Sequence, residues 1–192
     1  MSASKEYFAN ESYLDELFSK RIILIDKEIT EELCGEWIGK IALLDLKGAK
    51  TKKPIILLVN TYGGDAYAAM GVMDVIKNCV CPVITVCIGV AMSGGSVILG
   101  SGTKRYAVPN SRIMVHQHWD DMGPKTHMEI MNEAEESKRL FKQLEDYYVV
   151  AMGQSHAKVK KLLEKDSYLT AQDALTLGLI DEIGWKIHDW LK

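Results

Sequence analysis

The sequence predicts an α/β protein with a largely parallel sheet, and three observations carry that prediction. Apolar, β-branched runs alternate with segments of helical periodicity: Pro54 to Asn60, then Ala66 to Ile76, then Val83 to Ile88, then a helical segment opening with Val97-Ile98-Leu99. The run at Pro54 is apolar almost throughout, as in a strand covered on both faces. Small residues mark both strand-to-helix turns, Gly63-Gly64 and Ser93-Gly94. Open α/β sheets place their sites at the carboxyl ends of their strands, so the two turns are expected side by side.

A chain of 192 residues, 47% of them apolar, suits one domain with a substantial core. No Pro/Gly/Ser-rich linker divides it. A formal charge of −3 argues against a nucleic-acid binder, whose affinity rests on clustered Lys and Arg. The one basic run, Lys47 to Lys53, reads as a solvated loop. Residues Met1 to Glu6 lack the apolar core of a signal peptide, and no run approaches the ~18 apolar residues of a membrane helix. A soluble, cytoplasmic protein is the expectation. Cys34, Cys79, Cys81 and Cys87 lie in apolar or semi-apolar runs without the paired spacing of a zinc site, and are expected to be reduced thiols.

Taken in order, Tyr13 to Phe18 suggests a short amphipathic helix and Arg21 to Ile25 a first strand. Thr30 ahead of Glu31-Glu32 is a helix-start signal, and Leu33, Trp37, Ile41 and Leu44 recur at helical spacing, with Gly48 placed to end the helix. After the strand at Pro54 and the helix at Ala66 comes Val83 to Ile88, a buried strand leading into Gly89-Val90-Ala91-Met92-Ser93. Lys104 to Val108 and Arg112 to His116 are two further strands separated by the turn signal Pro109-Asn110-Ser111. A long helix is predicted from about Thr126 to Met152 with Gly153 as its terminator. A shorter helix from His156 to Glu164 follows, then Thr170 as an N-cap, a last strand over Leu179 to Ile183, and an amphipathic tail from Trp185 to Lys192.

Each candidate residue has two readings. Ser93 stands at a helix start, where a serine commonly caps the helix; a hydroxyl there also lies beside unpaired N–H groups able to hold an oxyanion. Gly63-Gly64 serves either a tight turn or a close backbone approach to a bound group. His116 and His118, two apart at a strand end, invite a metal reading, but no third ligand is fixed by spacing. Gly100-Ser101-Gly102-Thr103-Lys104 lacks the lysine placement of a phosphate loop. Ser93, His116 and Asp166 arrive in that order, each at an element end. A hydroxyl, an imidazole to take its proton and a carboxylate to hold the imidazole are what acyl transfer requires.

Three stretches together resemble the ClpP family, the serine peptidase subunits of the Clp ATP-dependent proteases, over the span from about Glu11 to Ile183. They are Gly89-Val90-Ala91-Met92-Ser93, Pro109 to Gln117 and Glu164 to Ala171. The resemblance implies a ClpP/crotonase-like fold of stacked βαβ units in a single domain. Residues 1–20 would form the N-terminal segment and axial loop, 21–115 and 153–183 the head, 116–152 a handle strand and long protruding helix, and 184–192 the C-terminal tail. It implies a triad of Ser93, His116 and Asp166, with the N–H groups of Gly64 and Gly94 as oxyanion hole and no metal or cofactor in this chain. It also implies two stacked heptameric rings, a tetradecamer, joined by the long helix. An unfoldase ATPase of the ClpX, ClpA or ClpC type would consume the ATP and feed unfolded proteins to the sites.

The chain departs from the family pattern at functional positions. Asn60-Thr61-Tyr62-Gly63-Gly64 replaces the usual Asn-Ser-Pro-Gly-Gly, Gly94 replaces a methionine after the nucleophile, His118 replaces a proline, and Lys165 replaces an arginine that pairs between rings. Trp185 and Trp190 are expected near the ATPase docking groove. Two further readings stand beside the peptidase: a poorly active ring subunit that works beside a ClpP paralogue, and a crotonase-type acyl-CoA enzyme.

Overall fold

The computed structural model of the chain describes residues 12–119 and 123–186. The elements follow in the order α1 (Ser12–Ser19), β1 (Ile22–Ile25), α2 (Glu31–Gly48), β2 (Ile55–Thr61), α3 (Ala66–Asn78), β3 (Val83–Met92) and α4 (Gly94–Gly100). Then come β4 (Lys104–Ala107), β5 (Arg112–Val115), α5 (His127–Met152), α6 (His156–Leu163), β6 (Ser167–Thr170), α7 (Ala171–Leu177) and β7 (Glu182–Ile183). Consecutive β-α-β units over β1 to β4 pair in parallel, as the alternating pattern requires.

Strand β3 organises the sheet. Its ten residues are longer than the apolar run alone predicts, extending through Gly89 and Val90 to Met92. The first half pairs β4 (Ile84 to Cys87 against Lys104 to Ala107) and the second half pairs β5 (Val90 to Met92 against Arg112 to Met114). Both strands run parallel to β3, so the Pro109 turn does not close a hairpin; it carries the chain from one branch of the sheet to the other. Strand β6 then adds antiparallel to β5.

The main core lies between this sheet and α2 to α7, with Trp37, Ile41 and Leu44 of α2 buried as their spacing predicts. A smaller cluster on the opposite face gathers Ile22, Ile56, Leu58, Ile84, Val86 and Tyr106, with Leu17, Leu24 and Trp185 packed against it. Trp185 therefore packs against the sheet; residues 187–192 of the expected tail, Trp190 among them, lie outside the described residues, as do residues 1–11 of the N-terminal segment.

Gly48 ends α2, as its placement in the sequence predicts. It is the last helical residue, and a Cβ there would stand 2.6 Å from the Arg21 guanidinium and 2.7 Å from Cys81 Sγ, so the glycine makes room for a close approach. The expected handle strand after residue 116 is absent among the described residues, which run as coil over 116–119 and 123–126. The long helix expected from about Thr126 to Met152 does form, as His127–Met152. Thr126 and Glu129 make a capping box and Gly153 closes the helix with φ of 63°. Twenty-six residues give α5 a length of roughly 39 Å. Its buried residues begin only at Leu140, so its first half stands off the core.

Candidate active site

The register of three strands assembles the site. Met92 pairs Met114, and Ser93 is one residue beyond Met92. Val115 pairs Ser167, with His116 one residue after the first and Asp166 one residue before the second. The three residues singled out from sequence thus converge at one sheet end. His116 Nε2 lies 2.8 Å from Ser93 Oγ, and His116 Nδ1 lies 3.4 Å from Asp166 Oδ1. The first distance is an ordinary hydrogen bond, while the second exceeds the usual N–H···O range. The Asp166 side chain is 60% exposed and that of His116 21%.

Ser93 occupies the N-cap position of α4 yet makes no side-chain cap bond. Its backbone, φ 52° and ψ −123°, is a conformation L-residues avoid, and such strain costs about 1–3 kcal/mol. Neighbouring groups enforce it. The Ser93 N–H donates to Met114 O at 2.9 Å, and Ser93 O accepts from Ser96 N–H at 2.9 Å and Ser96 Oγ at 2.7 Å. The resulting turn frees the hydroxyl from the helix and aims it at the imidazole.

Helix α4 is pinned from below by two tyrosines of α5. Tyr148 Oη lies 2.6 Å from Ser96 Oγ, and Tyr147 Oη donates to Val97 O at 2.7 Å. Burial pushes both phenols up, Tyr147 further through its neighbour Tyr148, so they stay protonated donors. The coil beyond His116 is fixed where Gln117 N–H donates to Leu163 O at 2.9 Å, and the Asp166 segment where Ser167 Oγ donates to Leu162 O at 2.6 Å.

Gly64 and Gly94 lie on the two facing turns, as the parallel pairing of β2 and β3 dictates. A Cβ on Gly63 would stand 2.7 Å from both Met92 O and Ser93 Cβ, so the turns touch only because that residue is glycine, at φ of 106°. A single bridge ties Gly64 to Ile29: Ile29 N–H donates to Gly63 O and Asp65 N–H donates to Ile29 O, each at 2.8 Å. The bridge does not use the Gly64 N–H. Gly94 opens α4, where helix geometry leaves the N–H without an intrahelical acceptor.

Sequence reasoning missed the residues that hold these turns. Thr61 is 2% exposed; its Oγ1 donates to Lys27 O at 2.7 Å and accepts from Gly63 N–H at 3.1 Å. Its place before Gly63-Gly64 was the available signal. Met114, Ser96 and Tyr148 carried none, because their roles depend on pairings made only in three dimensions. His118 does not join His116 on a common ligand. Its Nε2 lies 2.8 Å from Ser137 Oγ of α5, and among the described residues no group of three or more His, Cys, Asp or Glu comes together to hold a metal.

A groove of about 750 Å³ runs over this centre, with Ser93, His116 and Gly64 in its floor and Tyr62, Tyr67 and Trp119 along its rims. The arrangement sets a hydroxyl against an imidazole, beside two candidate oxyanion donors, in an open cleft.

The sequence matches the family model described as Clp protease over residues 4–186. This chain belongs to the Clp protease family. Among curated Clp relatives, "ATP-dependent Clp protease proteolytic subunit 2" of Prochlorococcus marinus subsp. pastoris is 34% identical over 166 residues, 85% of this chain and 82% of the relative. The protein of the same name from Prochlorococcus marinus strain NATL2A is 31% identical over 169 residues, 87% and 84% of the two chains. "ATP-dependent Clp protease proteolytic subunit 3" of Synechococcus sp. strain CC9902 is 32% identical over 166 residues, 85% and 82%. The mixed α/β architecture with its seven-stranded sheet is that of the Clp protease family. No helix among the described residues is long and apolar enough to cross a membrane.

Proposed function

We propose that this member of the Clp protease family is a serine endopeptidase subunit that hydrolyses peptide bonds of unfolded proteins. The observation that carries the reading is the 2.8 Å contact between His116 Nε2 and Ser93 Oγ at the floor of an open groove. Ser93 Oγ attacks the scissile carbonyl as His116 takes its proton, and the N–H groups of Gly64 and Gly94 receive the oxyanion. His116 passes the proton to the leaving amine. Water, deprotonated by the same imidazole, attacks the acyl ester and releases the acid, restoring Ser93. Asp166 holds the imidazole in the tautomer that presents Nε2 to the serine.

The reading extends to assembly in a cytoplasmic tetradecamer, to which a Clp-type unfoldase delivers substrate. The exposed Met128, Ile130 and Met131 on the outstanding half of α5 supply apolar surface for such contacts. Membership of the Clp protease family favours peptide hydrolysis over acyl-CoA chemistry. A second reading, a ring subunit of low activity beside a paralogue, draws on the 3.4 Å separation and 60% exposure at Asp166.

Intact-mass analysis after treatment with a fluorophosphonate, beside Ser93→Ala, tests the proposal. A single adduct lost in the variant is the expected result. A folded chain that takes no adduct alone but takes one when mixed with a paralogue supports the second reading, and no adduct under either condition overturns both.

A further inference from the structure

The small pocket beside Ser93 includes in its lining a residue, His118, that the chemistry of acyl transfer does not use. It is lined by Ala66, Ser93, Gly94, Val97, His116, His118, Leu144 and Tyr148 and has a volume of about 20 Å³. That is room for one water molecule or a methyl group. The pocket adjoins Ser93, His116 and Gly94 together. An acyl group with its carbonyl carbon at Ser93 Oγ and its oxygen at the Gly94 N–H has its Cα substituent within a bond or two of these residues, so its first side chain falls here.

Most of the wall is rigid. Val97 is 3% exposed, Leu144 6% and Tyr148 2%, and the Tyr148 hydroxyl is tied to Ser96. The exception is His118, which sits on coil beyond β5 and is held by the hydrogen bond of 2.8 Å to Ser137 Oγ. Ser137, Leu140, Leu144 and Tyr148 follow one another at intervals of three and four on α5, so they share the helix face that meets the pocket. The same face supplies the pocket floor and the anchor for its outer wall.

We infer that His118, latched to Ser137, sets the size of the subsite for the acyl residue and restricts it to small side chains such as alanine. The inference rests on Ser93 being the nucleophile. A phenyl or isobutyl group has no room while the imidazole stays in place, and removing the imidazole opens the pocket to the groove it already shares with Ala66, Ser93 and His116. Apolar pockets discriminate by roughly 10–200-fold for differences of this kind.

Peptidyl diphenyl phosphonates differing only in the residue at phosphorus, alanine-like against phenylalanine-like, read the subsite directly. Ser93 adduct formation is followed by intact mass on the full chain, each rate divided by that of a simple fluorophosphonate with the same variant. The native chain is expected to favour the alanine reagent by about tenfold or more. His118→Ala should reduce that ratio at least about tenfold, and Ser137→Ala should shift it the same way by less, which keeps the test open if one variant fails to fold. Native preference for the phenylalanine reagent, or one ratio across all three proteins, overturns the gate while leaving Ser93 as nucleophile. Failure of the fluorophosphonate to label Ser93 overturns the nucleophile assignment itself, and the gate with it.

Discussion

At Ser93 the chain holds a non-glycine residue at φ 52°, and the surrounding bonds to Met114 and Ser96 maintain it. Glycine adopts that conformation freely, so Ser93→Gly should stabilise the fold by about 1 kcal/mol in urea unfolding while abolishing fluorophosphonate labelling. A loss of stability would mean that the serine's contacts outweigh the strain. Thr61 works in the opposite sense. Thr61→Val removes the hydroxyl shared by Lys27 O and Gly63 N–H, leaving both in a buried turn at a cost of about 1–3 kcal/mol. If that hydroxyl positions the Gly64 N–H, the acylation rate should fall by about tenfold or more, with recovery in Thr61→Ser. Unaltered acylation in the valine variant would confine Thr61 to a structural role. The cysteines sit at the inert end of their chemistry. Burial pushes the thiols of Cys34, Cys79 and Cys87 up to about 11, with Asp65 adding to the effect at Cys34 and Asp45 and Cys81 at Cys79. These three should take up maleimide slowly at pH 7.5 in the folded protein and rapidly in urea; fast native labelling of Cys34 or Cys87 would contradict their burial.

Between elements, one ion pair secures the far edge of the sheet. Arg105 on β4 donates to both carboxylate oxygens of Asp181 ahead of β7, at 3.2 and 2.6 Å, and to Ala151 O near the end of α5 at 2.6 Å. Burial alone would raise the Asp181 carboxyl, but the hydrogen bonds and charge of Arg105 hold it below the usual carboxylate range. A folded-state value lower than the unfolded one adds stability that is complete above the ordinary carboxylate range and is lost as pH falls through the lowered value. Asp181→Asn should therefore cost about 1–3 kcal/mol at pH 7, after allowance for partial exposure, with a smaller gap from the native protein as acid is approached. A deficit that does not change with pH would assign the cost to packing. The same logic of shared anchors governs α4, whose seven residues are too few to stand alone. Its position depends on Tyr147, Tyr148 and the Thr85 hydroxyl, which donates to Leu99 O at 2.6 Å.

For the whole molecule the telling feature is the first half of α5, which leaves the core and exposes Met128 (65%), Ile130 (39%) and Met131 (55%). A helix supported along only part of its length gains little from propensity alone, so a covering surface would account for its apolar residues. Under the ring proposal, Met131→Glu places a charge in that contact and should lower the solution mass from a multimer of the 21.5 kDa chain towards single rings or monomers, read by light scattering on a sizing column. An unchanged mass would move the ring-to-ring contact to another surface. The outcome bears on the site, because the same helix anchors α4 through its tyrosines and His118 through Ser137.

Much of this was legible along the chain. The α/β class, the parallel β1 to β4 units and the long capped helix follow from periodicity and turn residues, since these depend on local backbone preference and spacing, whereas Ser93, His116, Asp166, Gly64 and Gly94 come together as a candidate set through the resemblance to the ClpP family. Neighbours along the chain cannot specify what distant strands supply. Only the forked pairing of β3 with β4 and β5 sets His116 beside Ser93, and only the antiparallel addition of β6 brings Asp166 to the imidazole. The strained turn at Ser93, the Thr61 clamp, the close packing at Gly48 and the His118 latch are likewise decided in the folded state. In each, a hydrogen bond or a close approach joins residues whose separation in sequence carries no trace of it.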